Sequence, residues 1–175
     1  MSNIKKWRAY LIVLSDLGSQ GKREDTAGES VKSILEDNNF IINNKIIIAD
    51  DFENLSTILK KETHPDHIKS DVIFTIGGTG LSSRDITPQA TKAILDVEIP
   101  GLAELMRIKG YELNKLAIIS RSVAGIRNNV LIINLPGSKR GASESLGLII
   151  EQLDHLLNQI QNKDDNYHEN LNNEN

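Results

Sequence analysis

The sequence predicts an α/β fold: a three-layer α/β/α sandwich around a mostly parallel central sheet. Three observations carry the prediction. Short, almost continuous apolar runs recur, as in residues 9–14 (AYLIVL) and 71–76 (DVIFTI). Runs of this length and composition belong to strands covered on both faces. Segments with apolar residues at helical spacing lie between the runs, and strand–helix alternation is the pattern of a parallel sheet layered by helices. The clearest run leads directly into Gly77-Gly78-Thr79-Gly80, and loops beyond the carboxyl ends of strands are where such sheets bind ligands.

Each element follows in order. Residues 9–14 form the first strand, and residues 18–28 are polar and glycine-containing, a long loop. Val31, Ile34 and Leu35 mark a helix over residues 29–38. Residues 40–49 form a strand around a polar Asn43-Asn44-Lys45, with a bend possible there. Leu55, Ile58 and Leu59 place a helix over residues 52–62, and residues 71–76 form the buried strand. Thr87-Pro88 reads as a helix start, with Thr as cap and Pro in the first turn. That helix runs to about Asp96; Ile99-Pro100-Gly101 interrupts, and residues 102–108 form a second short helix. Residues 116–119 and 130–134 are two further strands. From Ala142 onward, Leu146, Ile149, Ile150, Leu153, Leu156, Leu157 and Ile160 trace one helical stripe.

With 175 residues, 39% hydrophobic and 25% charged, the chain has room for one domain with a buried core. Residues 1–161 form that domain. Residues 162–175 set Lys163 against Asp164, Asp165, Glu169 and Glu174, so most of the net charge of −4 resides there. This Asn-rich segment cannot offset its ordering entropy by burial and is expected to be a disordered tail. Zero cysteines exclude disulfides, thiolate nucleophiles and Cys-based zinc or iron–sulfur sites. The acidic balance and 4% aromatic content argue against a nucleic-acid partner. No apolar stretch suits a signal peptide or a membrane span, so a soluble, cytoplasmic protein with no membrane partner is expected. His64 and His67 precede a strand and belong to a surface loop on the far edge; His155 lies on the last helix.

The strand-end loops carry the chemistry. Gly77, Gly78, Thr79 and Gly80 are either an ordinary tight turn or an anion-binding nest of backbone N–H groups. The stretch from Gly78 to Ser83 lacks the third glycine of a dinucleotide fingerprint, and no loop holds the Gly-Lys-Ser/Thr of a P-loop. Asp85 follows the glycines, and Asp50-Asp51 ends another strand on the same edge. Asp85 alone could merely cap local N–H groups; two strand-end carboxylates beside a glycine nest suit a Mg²⁺ that bridges phosphates. Residues 119–127 bring hydroxyl and guanidinium groups, and residues 134–141 lead into the N-terminus of the last helix. Lys139-Arg140 there could equally be a solvated pair. Together these loops describe a site for a phosphorylated ligand with Mg²⁺.

These loops, in this order, resemble the molybdopterin-binding domain family, in particular its stand-alone adenylyltransferase-type members. The resemblance is carried by residues 76–107 (IGGTGLSSRDITPQATKAILDVEIPGLAELMR), 119–127 (ISRSVAGIR), 131–146 (LIINLPGSKRGASESL) and 14–28 (LSDLGSQGKREDTAG). It implies a magnesium- and ATP-dependent step of molybdenum cofactor biosynthesis, in which molybdopterin is adenylylated and pyrophosphate released. It also implies that Asp50 and Asp85 are catalytic and hold Mg²⁺, and that Gly77, Gly78, Thr79 and Gly80 cradle phosphate. Ser120 and Ser138 would bind the pterin, while Asp16 and Asp25 would line the nucleotide side. A homotrimer or homohexamer is implied as well, with a molybdenum-insertion protein as a further partner. Two positions depart from the family pattern. Ala49 stands where Pro often precedes the first carboxylate, and the adjacent Asp51 leaves open which of the two faces the metal. Asn128-Asn129 replace a common Gly, although Asn tolerates the left-handed region. The competing reading is a catalytically silent molybdopterin carrier.

Overall fold

Apolar alternation along the central strands sorts side chains onto two sides of a sheet, and two helical layers cover them. The computed structural model describes residues 6–161; the expected tail lies outside the described residues. The strands are β1 (Trp7–Leu14), β2 (Phe40–Ile48), β3 (Val72–Ile76), β4 (Val97–Glu98), β5 (Ala124–Arg127) and β6 (Val130–Leu135). The helices are α1 (Asp16–Ser19), α2 (Thr26–Asp37), α3 (Phe52–Glu62), α4 (Thr87–Lys92), α5 (Pro100–Leu113) and α6 (Lys139–Ile160). Sheet order is β2-β1-β3-β6-β5-β4. The pairs β1–β2, β1–β3 and β3–β6 are parallel, whereas β5 pairs antiparallel with β6 and with β4. This is the expected three-layer, mostly parallel architecture.

The two-residue strand period assigns each layer. Leu11, Val13, Phe74, Ile76, Leu131 and Ile133 pack with residues of α2, α5 and α6, including Val31, Met106 and Leu146. Tyr10, Ile12, Ile73 and Ile132 point the other way and meet Leu55 and Leu59 of α3 and Ala90 of α4. Burial of each such side chain contributes about 1.5–3 kcal/mol, so a slip of one residue would send every side chain into the opposite layer and disrupt the packing of both. Strand β2 skips a residue between Ile42 and Asn44 in its pairing with β1. The bend expected around Asn43 is therefore a bulge, and Asn43 Nδ2 donates to the Lys69 carbonyl at 2.9 Å.

One polar group belongs to the core. Asn134 of β6 is fully buried. Its Nδ2 donates to Thr75 Oγ1 at 2.8 Å and Thr91 Oγ1 at 2.9 Å, and its Oδ1 accepts from Val123 N at 3.2 Å. Satisfied on three sides, it pins the segment before β5 to the centre of the sheet.

Several expectations need correction. Residues 116–119 do not form a strand: residues 115–119 are a 3₁₀ helix, capped by Asn114 Oδ1 accepting from Leu116 N. The apolar run misled because Leu116 is 68% exposed and Ile118 and Ile119 are about half exposed. The adjoining loop is instead interrupted by β5, whose antiparallel hairpin with β6 turns through Asn128 and Asn129 at φ 46° and 63°. Thr87 is the first residue of α4 rather than its cap; Ile86 takes that position without a side-chain bond. Helix α4 ends at Lys92, short of Asp96, and α5 starts at Pro100 and continues to Leu113. The two-residue strand β4 lies just before the expected Ile99-Pro100-Gly101 interruption. Helix α1 overlaps the start of the expected long first loop at Gly18 and Ser19, and α2 begins earlier than expected, at Thr26. His64 and His67 lie at an exposed 3₁₀ turn before β3, as expected. Among the described residues, no helix is long and apolar enough to cross a membrane.

Candidate functional site

The parallel strands bring their carboxyl ends to one edge. The connection from β1 passes to β2 on one side of it, and the connection from β2, through α3, crosses to β3 on the other. A crevice opens at such a reversal, here between the loops after β1, β2, β3 and β6. It comprises a cavity of about 390 Å³ and a neighbouring one of about 290 Å³, with Ser138 bordering both.

Gly77 and Gly78 set the divide. Their φ values are 112° and 64°, a region that side-chain-bearing residues rarely adopt. A Cβ on Gly77 would stand 2.5 Å from the Leu14 carbonyl oxygen, and one on Gly78 would collide with Thr87 Oγ1 and approach Asp50 Oδ1 at 3.0 Å. The Gly77 N–H is taken up by the Leu135 carbonyl at 3.0 Å. Gly77 thus contributes close backbone approach rather than an anion-binding N–H. Thr87 Oγ1 is buried beside Gly78 with no hydrogen-bond partner among the described residues.

The first cavity is lined by Asp16, Asp25, Asp50, Asp85, Gly77, Gly78 and Ser138. Asp50 lines it, whereas the exposed Asp51 caps α3, with Oδ1 accepting from Asn54 N at 2.7 Å. Of the adjacent pair, Asp50 therefore borders the cavity and Asp51 serves the start of α3. Burial, then the negative charge of Asp16, raises the Asp50 carboxyl above its ordinary range. Asp16 moves the other way: the Arg84 guanidinium, then the Asp50 N–H, holds it below the usual carboxylate range. Asp85 Oδ2 accepts from Ser82 N at 2.8 Å. Asp25 is 7% exposed, caps α2 by accepting from Gly28 N at 2.7 Å, and pairs with Lys45. Its carboxylate, although it borders the cavity, is therefore engaged by Gly28 and Lys45.

The second cavity is lined by Thr79, Gly80, Ser120 and Ser138, together with Ala103, Met106 and Ile119. Ser120 Oγ lies 2.9 Å from Ser122 Oγ, and Ser138 caps α6 by accepting from Gly141 N at 3.1 Å. The fold thus brings every candidate residue read from the sequence to this one edge, divided between two linked cavities.

Three arginines were not singled out from the sequence as site residues. Arg84 forks Asp16. Arg121 donates Nε to the Gly80 carbonyl and Nη2 to the Asp85 carbonyl, both at 2.6 Å, fixing the loop that carries Asp85. Arg107 donates to the Ser122 carbonyl at 3.0 Å from α5. Adjacency to Asp85 is a local signal for Arg84; nothing local marks Arg107. Among the described residues, no three His, Asp or Glu side chains group closely enough to hold a metal ion unaided.

The family described as "Probable molybdopterin binding domain" matches residues 10–155. The chain belongs to that family. The molybdopterin adenylyltransferase of Helicobacter pylori strain J99 is 36% identical over 150 residues, covering 83% of each protein. Molybdenum cofactor biosynthesis protein B of Staphylococcus aureus strain COL is 35% identical over 158 residues, covering 87% of this chain and 91% of that one. The crystal structure of the molybdopterin biosynthesis enzyme MoaB from Thermus thermophilus superposes with a TM-score of 0.83 at 39% identity, covering 90% of this chain and 98% of that one. The molybdopterin-binding domain fold is therefore shared over nearly the whole described chain, including every loop around both cavities.

Proposed function

We propose that this protein is a molybdopterin adenylyltransferase, transferring the adenylyl group of ATP to the phosphate of molybdopterin and releasing pyrophosphate. Family membership and the names of the relatives support work in molybdenum cofactor biosynthesis. The observation that carries the adenylylation is the paired cavity. A carboxylate- and arginine-lined chamber and a more apolar chamber meet at Gly77–Gly80 and Ser138, so two unlike substrates can meet at one phosphorus.

The pterin phosphate oxygen attacks the α-phosphorus of ATP, the new P–O bond forms, and the bond to pyrophosphate breaks. No side chain needs to act as nucleophile, consistent with the absence of cysteine. Ser120 and Ser138 hold the pterin side, and the Gly77–Gly80 turn lets backbone approach the reacting phosphate. Asp16 and Asp25 belong to the nucleotide side, Asp25 by shaping its loop. Such chemistry is accelerated by positioning and charge neutralisation.

The donor set fits Mg²⁺. Asp50 and Asp85 supply hard oxygen, and without three grouped protein carboxylates the remaining ligands would be phosphate oxygens and water, the usual Mg²⁺ arrangement. When bound, Mg²⁺ would neutralise phosphate charge in a cleft whose carboxylates otherwise repel a polyphosphate. Incubation with ATP, Mg²⁺ and molybdopterin is expected to release pyrophosphate, and chelation of Mg²⁺ to stop it. Molybdopterin binding without pyrophosphate release would favour the silent carrier instead.

The same reading has the chain assemble as a trimer, or as a hexamer of two trimers. Exposed apolar residues between positions 108 and 119, namely Ile108, Tyr111, Leu113, Leu116, Ile118 and Ile119, support self-association. Light scattering is expected to give a multiple of three chains; a monomeric mass refutes it. Product transfer to a molybdenum-insertion protein belongs to the same proposal.

A further inference from the structure

One interaction in the first cavity has no role in the proposed reaction. Arg84, beside Asp85, places Nη2 2.7 Å from both carboxylate oxygens of Asp16 and Nε 3.1 Å from Oδ2. The pair joins the loop after β3 to α1, and both partners line the cavity. Neither element needs it for its shape. The Arg84 loop is already held by Ser82 N to Asp85, by Arg84 N to Ser82 Oγ and by Arg121. Helix α1 is capped by Ser15.

The pair is also easily released. Arg84 is 62% exposed and Asp16 40%, so water competes for both partners and the contact is weak. A phosphate offers a guanidinium the same two-pronged geometry with more charge. Meanwhile Arg84 offsets some of the repulsion that Asp16 and Asp85 exert on Asp50. An exposed cation that borders the cavity beside its carboxylates is suited to change partners when an anion arrives.

We propose that Arg84 binds the polyphosphate of the incoming nucleotide and that Asp16 is its resting counter-ion, exchanged for ligand phosphate on binding. The proposal rests on the nucleotide reading of the first cavity. It demands effects of opposite sign at two residues in contact. Removing the arginine weakens nucleotide binding; neutralising its counter-ion strengthens it, because no contact must be given up.

Calorimetric titration of ATP with Mg²⁺ into wild type, Asp16→Asn, Arg84→Ala and the double variant tests this. Asp16→Asn keeps an acceptor for the Asp50 N–H while removing the charge. Arg84→Ala is expected to weaken binding about tenfold, the effect of one charge-assisted contact. Asp16→Asn is expected to tighten it about threefold, in keeping with a weak exposed pair, and its gain is expected to be smaller in the Arg84→Ala background. An equal gain in both backgrounds would mean general charge repulsion and overturns the exchange, as would weaker binding by Asp16→Asn. Failure of wild type to bind ATP overturns the nucleotide reading and the exchange with it. Binding that is unchanged in Arg84→Ala overturns the exchange alone.

Discussion

Asp85→Asn is expected to reduce pyrophosphate release about a thousandfold or more, the scale of losing one preorganised charge from a phosphoryl-transfer site. Molybdopterin binding is expected to survive. The distinction follows from how Asp85 is held. Its side chain accepts from Ser82 N, a role that an Asn oxygen can fill. Its carbonyl accepts from Arg121, which the substitution leaves alone. The loop therefore keeps its course while its charge is lost. Ser120, on the pterin side, lies in the other cavity and is tied to Ser122 rather than to Asp85. Pyrophosphate release and pterin fluorescence titration, made on the same preparation, separate the two effects. Unchanged turnover would remove Asp85 from any metal role, and loss of pterin binding would show that the two cavities are not separable in this way.

The largest effect on stability is expected at Gly77. In Gly77→Ala the new methyl group would stand 2.5 Å from the Leu14 carbonyl oxygen, with φ at 112°. Leu14 ends β1, which is paired on both sides, so its carbonyl cannot simply move away. Dihedral strain of roughly 1–3 kcal/mol and a clash of similar size suggest a loss of about 3 kcal/mol. For a chain of this size that corresponds to about 6–12 °C in Tm. Gly147→Ala is the control: it lies within α6, and a Cβ there meets nothing within 4 Å. It is expected to leave Tm unchanged or raise it, since Ala exceeds Gly in helix propensity by about 1 kcal/mol. Equal thermal denaturation curves for Gly77→Ala and wild type would show that the turn is not held as described.

Legibility in the sequence varied with how local each signal was. Strands β1, β3 and β6 were legible as apolar runs because central strands are buried on both faces. Helix α3 was legible to the residue, since the spacing of Leu55, Ile58 and Leu59 is a local signal. Residues 116–119 show the limit: Leu116, Ile118 and Ile119 have strand-like composition but no neighbouring strand, and they remain exposed. Residues 124–127 erred in the opposite direction. Their four-residue strand exists because β6 is there to pair with it, and pairing leaves little trace in so short a segment.

By itself the sequence determined the layered α/β class, the sheet edge that gathers the loops, and the family to which those loops belong. These follow from periodicity and from contiguous motifs, which are properties of neighbours in the chain. Only the tertiary structure decided that Asp50 rather than Asp51 faces the cavity, and that Gly77 directs its N–H at Leu135. Only it showed that Asp25 is engaged by Lys45 and that Arg84 is held by Asp16. Each of these depends on distance and direction between groups on separate elements, and Arg84 and Asp16 are 68 residues apart. Composition shows which charges are available; only the packing of strands and loops determines which of them meet.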